Sequence, residues 1–404
     1  MTVPADSTTD VLRLGARHVL AVTDADGALA AVPIVDPDGA RQRATAGSGA
    51  ADALLRFIAE HPGRSRHGRF TVVSWVDRYS PGIEQPITVD QTNESVIVGD
   101  RAVVKWATHL ESGPHPAPRR LATLTAAGFT AMPAPWAVLT WAPGEGPETL
   151  VATVTGYLPG AVDGWTWAKD MFIAAARTGD LTAVTATCDT LGAVVADLHA
   201  ALAATVVRST PADARRWRDN AFTTLSEARA LAGPANAALL TEHADAVAAT
   251  LESLADLVDV PILDAHGDLH VGQVLRTDDR LVITDFDGNP VLAPAERVLP
   301  VPAAVDLAGI LQSLSHVAIV AARRGELDPV TLAPVDEAAR AALRNAYLGR
   351  LAQTGHADLH IDTALPALRL QQVLREIVYA GRHLPRWMYV PDAALPALIN
   401  ETSS

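Results

Sequence analysis

One short stretch, AHGDLHVGQVLRTDDRLVITDFDGNP at residues 265–290, limits the fold and the chemistry of this chain more than any other. A His-Gly-Asp-Leu-His run precedes a short apolar strand, and that strand leads directly into Asp-Phe-Asp. Carboxylate and imidazole groups packed this densely between β-type segments are typical of a metal site. Three alternatives follow: a metal that holds ATP phosphates, a metal that hydrolyses an ester, or a hydrogen-bonded turn without chemistry.

The spacing of the stretch matches the loops that transfer phosphoryl groups. In such loops an Asp orients the acceptor hydroxyl, a side-chain amide five residues later binds Mg²⁺, and a later Asp binds Mg²⁺ as well. Here Gln273 follows Asp268 by five residues and Asp285 follows it by seventeen, with Gln in place of the usual Asn. Lys105, at the end of an apolar strand, is the candidate cation for the ATP phosphates.

The other two alternatives use the same residues. A metal-dependent phosphoesterase gathers Asp and His around two metals, and Asp268 with His270 could begin such a site. No His comes directly after Asn289 in DGNP, however, and the remaining histidines are scattered. Singly, His266 or His270 would more often be structural than catalytic. The combination with the amide and Asp285 favours a catalytic role.

Composition narrows the classes of protein. A chain of 404 residues with 49% hydrophobic and 19% charged residues predicts buried cores in two or three domains or lobes. The net charge of −14 and the presence of only two lysines, Lys105 and Lys169, argue against nucleic acid and anionic membranes as partners. The single cysteine, Cys188, excludes an internal disulfide. Without a signal peptide or a membrane-spanning stretch, we expect a cytoplasmic protein.

The chain divides into three zones. Residues 1 to about 88 alternate β-like runs with Asp-Gly turns and one short helix. A hairpin over residues 95–106 and strands at WAVLTWA and LVATVTGYL follow, and from Leu181 onward apolar residues recur at helical spacing. The predicted order is a β-rich cap, a small β lobe and a large α lobe, which is an α+β fold.

The chain resembles the maltokinase-like sugar kinases of the aminoglycoside-phosphotransferase branch of protein-kinase-like folds, and within them the actinobacterial glucosamine kinase subgroup. The stretches that carry the resemblance are SVIVGDRAVVKW, GAVDGW, LGAVVADLHAAL, HGDLHVGQVLRT, ITDFDGNPVLAPAER and AVDLAGILQSL. It implies a bilobal fold with a small β-rich N-lobe, a large α-helical C-lobe and an N-terminal α/β cap. The corresponding domains are 1–88 for the cap, 89–158 for the nucleotide-binding N-lobe and 159–404 for the C-lobe.

The resemblance also implies roles for the loop residues. Asp268 would be the catalytic base for the sugar hydroxyl. Gln273 and Asp285 would hold Mg²⁺, with Asp287 as an additional ligand. Asp306 would brace the loop from the following helix.

ATP would be bound by the small lobe. Lys105 would pair with the phosphates, and backbone groups around Thr155 and Tyr157 would hydrogen-bond the adenine. The sequence departs from the family in one place, because Arg119 stands where the lysine's Glu partner is expected. Either a different acid, such as Glu111, takes its place, or Lys105 is positioned differently.

The last helix carries the expectation about the substrate. In QQVLREIVYAGRHLPRWMYVP, four polar side chains share one helical face: Gln372, Arg375, Glu376 and Tyr379. A carboxylate near a sugar site can pair with an ammonium group, which favours an amino sugar. The residues predicted to contact the sugar are His266, His270, Arg375, Glu376, Tyr379 and Trp387.

The resulting hypothesis is ATP- and Mg²⁺-dependent phosphorylation of glucosamine to glucosamine 6-phosphate. Maltose, phosphorylated at its anomeric hydroxyl, and a broader aminoglycoside substrate are the alternatives within the same fold. A metal-dependent phosphoesterase and an inactive sugar-binding protein are the alternatives from other classes.

Overall fold

The computed structural model describes residues 8–25, 27–36, 41–87, 94–111, 113–144 and 146–402, and the contacts divide the chain into two compact units. The first unit comprises Met1–Thr125, Met132–Gly160 and Phe286–Val298. The second unit comprises Ala126–Ala131, Ala161–Asp285 and Leu299–Ser404. The boundary therefore crosses the Asp-Phe-Asp motif, with Asp285 in the second unit and Asp287 in the first.

The first unit is mainly β-structure. Its strands are β1 (Thr8–Arg13), β2 (His18–Ala25), β3 (Ala28–Val35), β4 (Gln42–Arg43), β5 (Gly63–His67), β6 (Phe70–Ser74), β7 (Glu84–Pro86), β8 (Glu94–Val98), β9 (Ala102–Trp106), β10 (Pro135–Trp141) and β11 (Thr149–Gly156). Its helices are α1 (Ala50–Glu60), α2 (Ala117–Ala126, which ends in the second unit) and the short α8 (Pro294–Arg297).

Two antiparallel sheets organise these strands. The first has four strands in the order β1-β2-β3-β4, and the second has seven in the order β5-β6-β10-β11-β9-β8-β7. The hairpin predicted around Gly99 is present, and it places Lys105 opposite Ser95 on one side and Thr153 on the other. The predicted domain boundary at residues 88–89 lies outside the described residues, while strands on both sides of it share the second sheet. The boundary stays a prediction.

Helix α1 begins without a capping side chain of its own. Its N-cap residue is Gly49, in the left-handed conformation, and glycine has no side chain that could accept hydrogen bonds from the first backbone amides. The carboxylate of Glu84, from β7, accepts hydrogen bonds from the amides of Gly47, Gly49 and Asp52 at 2.8, 3.0 and 3.0 Å. Glu84 is 9% exposed. A buried carboxylate from a distant strand therefore caps this helix and fixes it to the sheet.

The second unit is mainly helical. Its helices are α3 (Gly164–Thr178), α4 (Thr182–Ala201), α5 (Pro211–Leu231), α6 (Pro234–Glu242), α7 (Ala244–Glu252), α9 (Ala304–Gly325), α10 (Pro329–Gln353), α11 (Leu365–His383) and α12 (Tyr389–Thr402). Two short strand pairs complete it: β12 (Val207–Arg208) with β13 (Pro261–Ile262), and β14 (Val274–Arg276) with β15 (Leu281–Ile283).

The helix starts of this unit follow local sequence rules. Thr210 and Asp213 form a reciprocal capping box at the start of α5, with Pro211 as the first helical residue. The predicted amphipathic helix after Leu181 is α4, whose buried residues include Val184, Cys188 and Leu191. The apolar helix α9 is long enough to cross a membrane by length and composition, but 83% of its most apolar window is buried in the protein. A core helix passes the same test.

Helices α4 and α10 cross with almost no space between their backbones. A Cβ atom added to Gly192 of α4 would lie 2.1 Å from the carbonyl oxygen of Leu343 on α10. Glycine at this position is therefore what allows the crossing, and any larger side chain forces the helices apart.

We expect Gly192→Ala to lower the free energy of unfolding by about 3 kcal/mol, the upper range for overpacked cores. Gly349→Ala is the matched control, since a Cβ there meets nothing within 4 Å on the same helix pair. Removing a helix-interior glycine at an open site should raise the stability by roughly 0.5–1 kcal/mol. Calorimetric unfolding of both variants measures the difference, and equal melting temperatures would contradict the close crossing.

Candidate active site

One face of α9 holds the His-Gly-Asp-Leu-His loop of the second unit. Asp306, fully buried in the first turn, accepts hydrogen bonds from the amides of His266 at 2.8 Å and Gly267 at 2.7 Å. One turn later in α9, Gly309 lies so close to the loop that an added Cβ would clash with the carbonyl oxygen of Leu269. One further turn along α9, the Ser313 hydroxyl accepts a hydrogen bond from the amide of Val271 at 2.9 Å. The loop conformation therefore depends on three α9 positions at helical spacing.

The buried side chain of His199 contacts the carboxylate of Asp306 that binds the loop. His199 of α4 lies 3.1 Å from the Asp306 carboxylate through Nε2, and its Nδ1 lies 2.9 Å from the Tyr347 hydroxyl of α10. Burial opposes ionisation of Asp306, but the hydrogen bond and charge of His199, with His266 and the Gly267 amide, hold its pKa below the ordinary value. Asp306 is thus a carboxylate that can accept both loop amides.

The rings of the two loop histidines are used within the loop. His266 is buried, with Nε2 lying 2.9 Å from the Thr284 carbonyl and Nδ1 accepting the Asp268 amide at 3.4 Å. His270 accepts the Gly272 amide through Nδ1 at 3.0 Å and so caps the short 3-10 helix Val271–Gln273. Burial lowers the pKa of His270 to about 4, so this ring is neutral near pH 7. Their contact with a sugar stays a prediction.

Asp268 occupies a place that opposes its ionisation. Burial is the largest cause, and the carboxylates of Asp285, Asp306 and Glu376 add to it, while Arg375 acts in the opposite direction. Together they raise the pKa of Asp268 to about 7. A carboxyl group with a pKa near the working pH suits proton transfer, because both protonation states are accessible.

Gln273 and Asp285 present polar atoms to each other at the ends of β14 and β15. The Gln273 amide lies 3.4 Å from Asp285 Oδ2, and the Thr284 amide and hydroxyl bind the Gln273 carbonyl at 2.8 and 3.1 Å. Asp285 is exposed and has φ +65°, a conformation that is rare outside glycine and frequent at functional sites. In the described part of the chain, no group of three or more His, Cys, Asp or Glu forms a metal cluster.

Helix α11 carries two charged side chains with unsatisfied atoms. Arg375 Nε is buried without a hydrogen-bond partner among the described residues, and Glu376 Oε2 makes no well-aligned hydrogen bond. His316 Nδ1 lies 3.2 Å from that oxygen in a bent approach, and Gln372 donates to Glu376 Oε1 at 3.2 Å. Buried polar atoms without partners can form hydrogen bonds with a polar ligand.

The predicted aromatic residues lie nearby in the chain but in two separate contacts. Trp387 packs edge-on against Trp165 with ring centroids 5.3 Å apart, and Trp165 lies 6.2 Å from His270. Tyr379 is 44% exposed and packs against His383 at 5.4 Å. Trp387 therefore belongs to an aromatic group that reaches the loop, whereas Tyr379 lies on the solvent side of α11.

The first unit holds the predicted lysine. Lys105 of β9 forms an ion pair of 2.7 Å with Asp287, and both side chains are largely buried. Glu111, the acid considered from the sequence, forms its ion pair with Arg297 instead, also at 2.7 Å. The carboxylate beside the lysine thus comes from the Asp-Phe-Asp motif rather than from α2.

Helix α2 uses its two arginines to bind backbone carbonyls of the first unit. Arg120 is 2% exposed and donates to the carbonyl of Phe286 at 3.1 Å, while Arg119 donates to the carbonyl of Val298 at 2.9 Å. Burial lowers the pKa of the adjacent His115 to about 4 despite the attraction of Asp287. Arg119, which stands where a Glu was expected, therefore has a backbone-holding role.

The predicted adenine-binding segment follows β11. Thr155 pairs with Val103 in the sheet, and the Tyr157 amide donates to the Arg101 carbonyl at 2.7 Å. The amide of Tyr157 is therefore already occupied in the structure, and adenine binding by this segment stays a prediction.

Comparison with known proteins identifies the family. A glucosamine kinase of Mycolicibacterium smegmatis is 54% identical over 399 residues, which cover 98% of this chain and 99% of the relative. A glucosamine kinase of Streptacidiphilus jiangxiensis is 42% identical over 400 residues, which cover 97% of this chain and 91% of the relative. The chain belongs to the glucosamine kinase family. No family model matches it.

Solved structures agree with this assignment to the glucosamine kinase family. A glucosamine kinase in complex with glucosamine, ADP and inorganic phosphate is 38% identical, covers 97% of this chain and 93% of that chain, and superposes with a TM-score of 0.85. A second glucosamine kinase structure, crystal form A, has the same TM-score of 0.85 at 39% identity, with 97% and 91% of the two chains covered. The predicted α+β kinase-like fold and subgroup are confirmed.

Sequence reasoning missed several residues of this glucosamine kinase family site. His199, Tyr347, Ser313 and His316 contact the loop residues or their supports, yet none was predicted. A usable signal existed for His199 and His316, because each is a polar residue among the buried residues of a long amphipathic or apolar helix.

We expect Asp306→Asn to lower the free energy of unfolding by about 3 kcal/mol, because an amide NH₂ would face a backbone N–H that now donates to a charged oxygen. Asp362→Asn is the control, since its ion pair with Arg344 is exposed and should contribute less than about 1 kcal/mol. Denaturant unfolding of both variants is the measurement. Similar losses for the two would show that the loop does not depend on Asp306.

Proposed function

We propose that this chain transfers the γ-phosphoryl group of ATP to the 6-hydroxyl of glucosamine, giving glucosamine 6-phosphate. The observation that carries the proposal is the match over 97% of the chain to a structure of glucosamine kinase with glucosamine, ADP and inorganic phosphate. The raised pKa of Asp268 and the unsatisfied atoms of Arg375 and Glu376 support the same chemistry. We also propose a cytoplasmic location, where ATP is available.

Asp268 is the proposed catalytic base. As the loose transition state forms, its carboxylate accepts the proton of the attacking hydroxyl, and Arg375 stabilises the ionised form of Asp268. Asp306 acts through the loop backbone and is a positioning residue. The contribution of the loop is thus geometry and proton acceptance rather than covalent chemistry.

Gln273 and Asp285 are the proposed Mg²⁺ ligands, with Asp287 as an additional one. The donor set fits the ion, because Mg²⁺ takes oxygen ligands and binds proteins through one or two carboxylates completed by phosphates and water. For Gln273 this requires its amide oxygen to face the ion. When bound, Mg²⁺ neutralises charge on the β- and γ-phosphates.

Lys105 is the proposed partner of the ATP phosphates, and Asp287 sets its position through their ion pair. The ion pair aligns the ammonium group without the Glu that other kinases place on the following helix. Backbone groups around Thr155 and Tyr157 are proposed to contact the adenine.

Glu376 is the proposed acceptor of the ammonium group of glucosamine. Its Oε2 atom makes no well-aligned hydrogen bond. Burial raises the pKa of Glu376, but its contacts with His316 and Gln372 outweigh burial and hold the pKa below the ordinary value. Arg375 is proposed to bind sugar hydroxyls through its unpartnered Nε. His266, His270, Tyr379 and Trp387 are proposed as further contacts of the sugar.

A coupled assay of ADP release tests the function directly. With Mg-ATP we expect rapid ADP production with glucosamine, and little with maltose, glucose or an aminoglycoside. Activity with maltose alone would preserve the kinase assignment and remove the amino-sugar specificity. No ADP release above background with any of the sugars would contradict the proposed function.

We expect Asp268→Asn to lower kcat by about 10³-fold, within the range that general base catalysis contributes. Asp279→Asn, a substitution of an exposed Asp in the same unit, is the matched control and should keep wild-type turnover. The melting temperature of each variant checks that it is folded. Turnover of the Asp268 variant within a factor of two of wild type would refute the role of the base.

The acidic side of the pH profile should report Asp268. Because its pKa is raised to about 7, the carboxyl is protonated and inactive below that pH, and kcat/KM should rise about tenfold per pH unit up to about pH 7. Deprotonation of the substrate's ammonium group lowers kcat/KM on the alkaline side, so the acidic limb alone tests Asp268. A kcat/KM that is already independent of pH from pH 5 to pH 7 would contradict the raised pKa of Asp268.

A further inference from the structure

A row of hydrogen bonds behind Glu376 determines where the proton of a buried histidine lies. Gln312 and His316 stand one turn apart on α9 and are 2% and 1% exposed. Arg369 and Glu376, on the facing helix α11, contact the two ends of this pair. The inference below rests on the proposed function, and in particular on Glu376 as the acceptor of the ammonium group.

Arg369 sets the orientation of the Gln312 amide. Its Nε–H donates to Gln312 Oε1 at 3.2 Å, and its Nη1 forms an ion pair of 2.7 Å with Glu401. An arginine can only donate, so the amide oxygen must face it. The amide nitrogen of Gln312 consequently faces His316 Nε2 at 3.1 Å.

The Gln312 amide in turn sets the tautomer of His316. An NH₂ group donates, so Nε2 of His316 must be the unprotonated, accepting nitrogen. The proton then lies on Nδ1, the nitrogen 3.2 Å from Glu376 Oε2. A doubly protonated ring would place an N–H against the Gln312 NH₂ group, which costs a buried hydrogen bond. His316 is therefore held neutral.

A neutral His316 leaves the charge of Glu376 available to a ligand. The polar side chains that contact this carboxylate, Gln372 and His316, then carry no charge. Arg375 is the nearby cation, and its charge also acts on Asp268. With both carboxylates ionised, these charged groups leave one uncompensated negative charge, which an ammonium substrate balances. A cationic His316 would form an ion pair with Glu376 and compete with that substrate.

We propose that Gln312 and Arg369 are positioning residues for substrate specificity: they lock His316 in its neutral Nδ1–H form, and this lock makes Glu376 select an ammonium sugar over a neutral one. None of the three needs to touch the sugar. The specificity of the site then depends on the proton of His316 Nδ1. Its position is set by Arg369, which is separated from the substrate by Gln312, His316 and Glu376.

Gln312→Glu tests the lock. The new carboxylate still accepts from Arg369 and can also accept a proton from Nε2, so it favours the doubly protonated ring. We expect KM for glucosamine to rise about tenfold, the scale of one charge-assisted hydrogen bond. KM for ATP should stay unchanged, and the preference for glucosamine over glucose, measured as substrates or competitive inhibitors, should fall by a similar factor.

Nitrogen-15 NMR of the histidine rings supplies a readout that a merely structural role would not move. In the wild-type protein the His316 signals should be those of a neutral ring protonated at Nδ1. In Gln312→Glu they should be those of a ring protonated at both nitrogens. The signals are assigned by their loss in His316→Gln.

Gln312→Met is the matched control, because it removes the amide without adding a charge. This variant also removes the NH₂ group that opposes the charged ring, so the preference for glucosamine should fall in the same direction as in Gln312→Glu and by a smaller factor. An unchanged preference would overturn the inference. If Gln312→Glu does not fold, Arg369→Gln replaces it. Without Arg369 the Gln312 amide can rotate and present its oxygen to His316 Nε2, which removes the opposition to the doubly protonated ring. The preference for glucosamine over glucose should therefore fall, as in Gln312→Glu. An unchanged preference would overturn the lock.

The outcomes separate the inference from its basis. Wild-type protein that fails to phosphorylate glucosamine contradicts the proposed function itself. Wild-type activity with an unchanged preference in Glu376→Gln contradicts the role of Glu376. A preference that depends on Glu376 but not on Gln312, with unchanged ring signals, overturns the lock alone.

Discussion

The structure of the candidate site depends on one buried carboxylate. Asp306 accepts the amides of His266 and Gly267 and is itself held by His199, so it joins α4, α9 and the loop at a single point. A carboxylate without these donors would be too costly to bury. The donors therefore fix both the charge of Asp306 and the path of the loop, and every other group on the loop takes its position from that path.

The two aspartates of the Asp-Phe-Asp motif lie in different units and have different partners. Asp285 lies with Gln273 in the second unit, while Asp287 pairs with Lys105 in the first. Arg120 holds the carbonyl of Phe286 within the first unit. The ion pair of Lys105 is thus formed with the motif, and α2 carries arginines that bind backbone carbonyls. The sequence departure at Arg119 has a structural explanation.

Much of the fold could be predicted because its signals are local. The β8–β9 hairpin and helix α4 follow from β-branched runs around Gly99 and from apolar residues at helical spacing. Helix α3 (Gly164–Thr178) lies before the zone predicted to be helical, which begins at Leu181. The support of α1 by Glu84 could not be predicted, since a side chain from a distant strand makes the cap.

The sequence by itself determined which chemical groups exist: the loop carboxyl of Asp268, the amide of Gln273, the two aspartates around Phe286 and a lysine on a strand. The resemblance of its motifs to sugar kinases indicated the family, which the comparison with known proteins confirmed. Only the tertiary structure decided the charge of each group and its partner. Lys105 and Asp287 are 182 residues apart in the chain, and His199 and Asp306 are 107 apart. Burial and proton positions depend on neighbours brought together by folding, which no local pattern encodes.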